Sequence, residues 1–393
     1  MRSLCSILFI LFLFSCKEQH GTLITFDPRS NGANSEISLS EIADEIKYIP
    51  LDNSFPLGII YNYRITKKSI YLSSKVIGVL KYNRDGKFER KIGSIGRGPG
   101  EYHYCYDFTV DDDRETIYVE DNGILKAYSK SGNFLRGISI KNYGGVSSFE
   151  VIDSRIIVFF MLQFENPKND WIVLDTIGNL IAEKKRQIPE FYSMGLLHGT
   201  YKFNNSVTYW NPFTDTVFSV LPDLTYKASF LLSPGEHRFP KRRLTSYESS
   251  EQYLKFKQIF ETNRFLIFHY SYKKKHILEM SDKKDSRSIR YFLEVADNGP
   301  PTIFSGGILN DLDNGNRFQP GGTTYHQESY FVENDNEYIV GLTQSNKIKT
   351  RVESSDFKTS KPKYPEKKKE LIKLAESLKE TDNPVLMIVR LKK

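Results

Sequence analysis

Three glycines, Gly86, Gly132 and Gly178, recur at intervals of 46 residues, and each closes the same kind of hairpin. Tyr82–Phe88, Tyr128–Phe134 and Leu174–Leu180 each run from a strand end into a polar turn, with Phe or Leu two residues after the glycine. Upstream of each lies an alternating apolar segment: Ser69–Ser73, Glu115–Val119 and Arg155–Phe159. A glycine in a two-strand turn supplies the left-handed backbone that such a turn demands. Agreement of spacing, turn chemistry and flanking alternation describes one supersecondary unit copied in series. A period in the forties is that of a propeller blade. The crossover after the first copy, Gly93–Tyr102, has four glycines and a proline in its first eight residues, then Glu101-Tyr102, which suits a tight passage between sheets.

Later copies are less regular. A fourth blade over 196–232 has strands at Ser206–Tyr209, Thr216–Val220 and Tyr226–Leu232, turns at Pro222, and lacks the turn glycine. A fifth spans Ile259–Val295, with strands Arg264–Tyr270, His276–Met280 and Arg290–Val295. A sixth begins at Thr302 and includes Ser329–Val332 and Glu337–Leu342. Two helical insertions interrupt the strands, one at Ser246–Gln258 and one near 365–380, where Leu371, Leu374, Ala375 and Leu378 share a face. Ser40 is positioned to cap a single helical turn ending at Asp44, and Ile46–Leu51 is the first strand. The last strand, Val385–Leu391, has Ile46–Leu51 or the remainder of blade six as its partner. Pairing chain ends in one blade removes open edges. The predicted fold is all-β: a six-bladed β-propeller of four-stranded antiparallel blades, its ring closed by the N- and C-terminal strands.

The amino terminus sets the location. Leu4–Phe14 is almost wholly apolar, too short to span a bilayer and of signal-peptide size. It ends Leu13-Phe14-Ser15-Cys16, which resembles the bacterial lipobox, with Phe14 a mild departure. That resemblance implies cleavage before Cys16 and its acylation, and several acyl chains on one residue anchor durably. The domain expectation is a signal peptide over 1–15, a lipidated tether over 16–36 and the propeller over 37–393. Lys17-Glu18 looks like the start of a surface-export signal.

Charge and cysteine narrow the function classes. The net charge of +7 is concentrated in Lys273–Lys275 and Lys361–Lys369, and no stripe on one face specifies nucleic acid. Cys105 is alone in the mature chain, without a local His or Asp pattern to activate it, so no internal disulfide is expected and a buried thiol is. The seven histidines are scattered and show no zinc-helix spacing. Neither a nucleophile elbow nor a P-loop occurs, and no cofactor is implied. Asp111-Asp112-Asp113 and the Asn310–Asn316 segment offer oxygens to calcium, or simply form turns.

Several segments together resemble a known family: Ile37–Leu51, Ile92–Tyr102 with its Gly-Arg-Gly-Pro-Gly-Glu-Tyr, Asp215–Phe218, Gly306–Ile308, Asp311–Asp313 and Asn383–Leu386. The chain is similar to the six-bladed β-propeller lipoproteins of Gram-negative anaerobes, relatives of the NHL-repeat propellers. The resemblance implies a secreted, lipid-anchored propeller of the outer membrane, on its periplasmic or its surface face. It implies no assigned activity, although some members associate with glycan uptake.

The candidate ligand-binding residues are Arg97, Glu101, Tyr102 and His103. The glycine amides of their loop can form an anion nest beside Arg97. Alternatively the glycines only let the backbone cross, with Arg97 and Glu101 satisfying each other or nearby carbonyls. Tyr102, Tyr104, Trp171 and Trp210 are candidates for stacking on sugar rings. The expected function is a binding or scaffold module for a glycan, peptide or protein partner. The alternative is a polysaccharide hydrolase or lyase drawing on Glu101, Asp107, His103 and Tyr102.

Overall fold

The computed structural model describes residues 24–27, 36–161, 168–186, 199–211, 213–240, 244, 248–285, 287–295, 304–321 and 328–393. The signal peptide, Cys16 and Thr302 lie outside the described residues. A short strand β1 (Ile24–Phe26) and one helical turn α1 (Leu39–Ile42) precede β2 (Ala43–Pro50). Three four-stranded antiparallel meanders follow. The first is β3 (Ile60–Ile65), β4 (Ser69–Ser74), β5 (Gly78–Asn83) and β6 (Phe88–Ile92). The second is β7 (Phe108–Asp111), β8 (Thr116–Asp121), β9 (Ile124–Ser129) and β10 (Phe134–Ser139). The third is β11 (Val146–Ile152), β12 (Arg155–Phe160), β13 (Asn169–Leu174) and β14 (Leu180–Lys185).

The fourth sheet is β15 (Gly199–Phe203), β16 (Ser206–Trp210), β17 (Thr216–Val220) and β18 (Tyr226–Leu232), with β1 added parallel to β18. The fifth is β19 (Lys255–Glu261), β20 (Phe265–Tyr272), β21 (Lys275–Asp282) and β22 (Ser288–Val295), edged by β23 (Phe304–Ser305). The sixth combines both ends of the chain. From β24 (Tyr330–Glu333) and β25 (Asn336–Thr343) the chain passes through helices α2 (Ser345–Glu353), α3 (Ser355–Thr359) and α4 (Pro365–Ser377) to β26 (Val385–Leu391). β26 pairs with β25 on one side and with β2 on the other. The architecture is mostly β, built of repeated antiparallel sheets in a propeller-like series.

The repeat is visible in individual hydrogen bonds. The turn-glycine N–H donates to the carbonyl three residues earlier at Gly86 (3.1 Å), Gly132 (2.8 Å) and Gly178 (3.2 Å), with φ of +80°, +87° and +100°. Each glycine also faces the outer strand of the neighbouring sheet. A methyl group at Gly86 would collide with the Pro50 carbonyl, and one at Gly132 with the Lys91 carbonyl. The fourth copy keeps the 46-residue step without glycine. Leu224 takes the left-handed conformation, φ +67°, and its N–H bonds the Leu221 carbonyl at 2.9 Å.

Five sequence expectations need correction. Within the expected helix Ser246–Gln258, the described residues 248–258 do not form one. Ser249 caps only a 3-10 turn at Ser250–Gln252, and from Lys255 the chain is strand, because Phe256, Ile259 and Phe260 go into the core. The cap of the first helical turn is Ser38, whose capping box with Glu41 places α1 earlier than expected. Residues 304–305 extend the fifth sheet rather than opening the sixth. The expected 16–36 tether contains β1, held because Phe26 is buried and stacked on Phe268 at 3.9 Å. The insertion before β26 has α2 and α3 ahead of α4; Ile348, Phe357, Leu371, Ala375 and Leu378 form a satellite core of their own.

Gly132→Ala is expected to lose about 2 kcal/mol or more, from left-handed strain plus the collision with β6. Gly145→Ala, with no close neighbour and no left-handed φ, is expected to stay within about 0.5 kcal/mol of wild type. Urea unfolding of both variants checks this.

Candidate functional site

The first strand of each sheet carries polar side chains amid apolar ones, and these side chains meet. Asn62 on β3 donates through Nδ2 to Asp107 Oδ1 (2.7 Å) and to the Phe108 carbonyl (3.1 Å). Thr109 on β7 donates to Glu150 Oε2 on β11 at 3.0 Å. Lys202 on β15 lies 3.3 Å from the same oxygen, and Thr200 bonds Ser148 at 3.2 Å. Tyr201 donates to Glu261 on β19 at 3.0 Å, and Gln258 donates to Ser329 at 2.7 Å. Glu328 then returns to β3: its N–H bonds the Tyr63 carbonyl at 3.3 Å, and its carboxylate accepts from Ile65 N at 2.6 Å.

Arg64 reaches across this arrangement. Its Nη2 bonds Glu150 Oε1 at 2.8 Å and its Nη1 bonds Asn62 Oδ1 at 3.1 Å. A cavity of about 40 Å³ lies among Arg64, Glu150, Lys202, Gln258, Glu328 and Ser329. That is room for a few waters or one small polar group.

The two carboxyls here are driven apart. Burial would raise Glu150, but Arg64, Lys202 and the Thr109 hydroxyl hold it below the usual carboxylate range. Burial raises Glu328, and Arg64 offsets that only in part. Burial also opposes the charge on Arg64, yet Glu150, Asp107 and Glu328 keep its pKa above the ordinary value. Arg64 and Lys202 thus hold the Glu150 carboxylate, and Glu328 beside them is the harder of the two carboxyls to ionise.

The residues proposed from sequence lie on the adjoining crossover. Glu101 occupies its own loop: its Oε2 accepts from Gly98 N at 2.8 Å and its Oε1 from Ser94 Oγ at 3.3 Å. The Gly98 amide first, then Ser94, lower its pKa despite some desolvation. One glycine amide, that of Gly98, thus holds Glu101, and Arg97 is exposed, with no ion pair among the described residues. Tyr102 is fully buried; its hydroxyl donates to the Ile92 carbonyl and accepts from Val79 N, both at 2.9 Å. His103 is exposed, and its backbone N–H and ring bond Asp121 at 3.0 and 3.3 Å. Asp107 is buried against Asn62. Trp171 and Trp210 are buried, which leaves Tyr104 as the exposed member of the aromatic candidates.

Cys105 is buried, and burial pushes its thiol well up, away from a reactive thiolate. Asp111 and Asp313 accept hydrogen bonds from within their own turns. Among the described residues no three His, Cys, Asp or Glu side chains group as a metal site. The convergent residues escaped the sequence analysis because Arg64, Glu150, Lys202 and Glu328 lie in different repeats and share no local spacing. A usable signal was present: an isolated charge inside an otherwise apolar first strand.

Residues 23–390 match a family model described as a domain of unknown function, DUF4934. The chain belongs to that family. The DUF4934 chain is similar to a crystallised Bacteroides fragilis protein assigned as exported, at 18% identity and a TM-score of 0.62, covering 95% of this chain and 100% of that one. It is less similar to a DUF4221 family member from Bacteroides vulgatus, at 13% identity, coverage of 91% and 99%, and a TM-score of 0.45. Virginiamycin B lyase from Staphylococcus aureus, at 10% identity, coverage of 75% and 94% and a TM-score of 0.39, is a distant likeness. No curated protein matches the sequence. Among the described residues no helix is long and apolar enough to cross a membrane.

Next to Gln258 in register is His269, whose imidazole burial and Lys257 push down to about 4, against the Pro320 carbonyl. A folded pKa below the unfolded value of about 6.5 means stability is complete above pH 6.5 and is lost as pH falls toward 4. Glu120, raised by burial to about 6, acts in the opposite sense between about pH 6 and 4.5, so the difference between variants is the readout. The stability of His269→Gln relative to wild type is expected to rise by about 3 kcal/mol between pH 7 and pH 4 in urea titrations.

Proposed function

We propose that the six sheets of this DUF4934 chain are the blades of a closed six-bladed propeller. A lipid on Cys16 tethers it to the outer membrane, and the channel mouth binds a partner of the cell envelope. The observation that carries this reading is the circuit of hydrogen bonds through the six first strands, which returns from Glu328 to β3. A wide core of aliphatic side chains would stabilise such a fold at lower electrostatic cost. Charges retained at its centre and lining a cavity are therefore assigned to ligand recognition. Pairing of β2 with β26 supports closure, because it joins the two ends of the chain in one sheet. The exported relative from Bacteroides fragilis supports an envelope location.

A second reading, acid–base cleavage of a polysaccharide, is favoured by one feature, the opposed shifts of Glu150 and Glu328. Turnover lost in Glu328→Gln would establish that reading, and a screen of envelope polysaccharides without turnover would remove it.

Two measurements test the binding reading. Cys16→Ser is expected to move the protein from the membrane fraction to the soluble fraction and to abolish fatty-acid labelling. Retention in the membrane overturns the lipid anchor. Lys202→Ala, at a half-exposed side chain, is expected to weaken capture of envelope glycans, peptides or proteins by about tenfold in protein that is still folded by circular dichroism, and Lys202→Arg, which keeps a cation beside Glu150, is expected to retain capture. Undiminished binding moves the site elsewhere.

A further inference from the structure

The outer strand of the fifth sheet is covered at one end only. β22 spans Ser288–Val295, and on its outer side β23 pairs with Glu294 and Val295 alone. Ser288–Leu293 pair with β21 on the inner side, and among the described residues no backbone hydrogen bond reaches their outer side. Alternate residues of an antiparallel strand direct N–H and C=O to opposite sides, so about three of these six present both groups outward. The chain leaves this edge at Gly306 and Gly307, each with φ of +107°. A Cβ at Gly306 would lie 3.0 Å from the Phe292 carbonyl, and one at Gly307 would stand 2.5 Å from the Phe318 carbonyl. Only glycine fits such a turn. It ends β23 after two pairs and leaves the rest of β22 open.

A cleft of about 430 Å³ lies against the open stretch, lined by Arg290, Tyr291, Phe292 and Glu294 of β22 and by the two glycines. That is the size of a ligand pocket. Its charges are matched in number. Arg290 bonds the fully buried Glu279 at 2.7 and 3.2 Å, and Arg317 bonds Glu36 at the rim. Lys275 lies 5.0 Å from the Phe292 ring centre, and Glu294 follows Phe292 by two residues on the same face of the strand. Three cations thus stand beside three carboxylates, and the cleft calls for neither an anion nor a cation. What remains unmatched is the strand edge and the Phe292 ring, which is 55% exposed. A peptide backbone satisfies the first and an apolar side chain the second. The fold already seats added strands on equivalent edges, β1 on β18 and β2 on β26.

We propose that the open edge of β22 docks an extended peptide segment of a partner protein, added as a strand beside Ser288–Leu293 with an apolar side chain on Phe292. The cleft shares no lining residue with the central cavity, so this site is additional to the channel mouth and does not rest on the reading given for it.

The test uses full-length protein in detergent micelles and end-blocked hexapeptides that alternate Thr with Val, Leu or Phe. Fluorescence anisotropy reads binding, and deuterium exchange read by mass spectrometry locates it. At least one peptide is expected to bind and to slow exchange over Ser288–Leu293 about tenfold. Two N-methylated forms of that peptide, blocked at its odd or at its even amides, are expected to differ about tenfold in affinity, because only one set faces β22. Phe292→Ala is expected to weaken binding about fivefold with an unchanged melting curve. Failure of every peptide to bind overturns the proposal, as does protection of another segment in place of Ser288–Leu293. Equal effects of the two N-methylated forms overturn strand addition. Protection of Ser288–Leu293 that rises with protein concentration, without peptide, overturns the partner and assigns the edge to a second copy of this chain.

Discussion

Close packing of a turn glycine on the neighbouring sheet, against backbone at Gly86 and Gly132 and against the Ile138 side chain at Gly178, is the constraint on which the first three sheets depend. At Gly86, Gly132 and Gly178 the left-handed turn lets the hairpin close, and the missing side chain lets it lie on the outer strand of the neighbouring sheet. Both demands fall on the same atom, so neither can be relaxed without disturbing the other. The Gly86 turn makes this contact with β2, where Asp52 N bonds the Gly86 carbonyl at 2.9 Å, so the first sheet is set against the strand that pairs with the chain's end. Arg84 and Glu333, at 3.2 Å, tie the first and sixth sheets at a second point.

Sheets packed at this spacing bring their first strands close enough for side chains on adjacent sheets to bond. The energetic consequence differs from that of the apolar clusters between sheets. A Leu or Ile there is stabilised wherever it is dry. A buried Glu150 is tolerated only because Arg64, Thr109 and Lys202 arrive from three different sheets. The position of Glu150 therefore depends on the relative placement of the sheets. Small shifts between sheets would appear first as altered charge at the cavity rather than as lost core packing.

The parts of this arrangement that were legible in the sequence are those encoded locally. The turn glycines, the short apolar runs of β4, β8 and β12, buried almost throughout, and the Pro365 start of α4 each depend on residues a few positions apart. The strands of the fourth copy were read, but its turn register was not, because a left-handed Leu224 leaves no compositional mark. Ser246–Gln258 carried a capping serine and helix-compatible Glu and Gln, while its fate was decided by neighbours that bury Phe256 and Ile259. β1 gave no signal of its own, since three residues of strand exist only on the edge of β18. The cluster around Glu150 was illegible for the same reason: its members meet through tertiary contacts that no spacing records. Tyr104 was found as a candidate, but Tyr61, a partner in its surface group, lies in an earlier strand.

The treatment of outer edges divides the chain into two halves. β6 and β14 end their sheets with Glu89, Arg90 and Lys91 and with Glu183 and Lys185, charges that oppose pairing with another strand. β18 reads Tyr-Lys-Ala-Ser-Phe-Leu-Leu and lacks that protection toward its end, where β1 covers it. Similarly, β23 covers the end of β22, and β2 covers β26, whose run of Val, Leu, Met and Ile would otherwise be an apolar edge. The first and third sheets thus guard their edges by charge, the second leaves Phe134 and Leu135 of β10 exposed, and the less regular sheets are covered by chain borrowed from elsewhere. The borrowed segments come from next to the expected lipid attachment and from the carboxyl-terminal half, so the irregular half is also where the fold is joined to its termini.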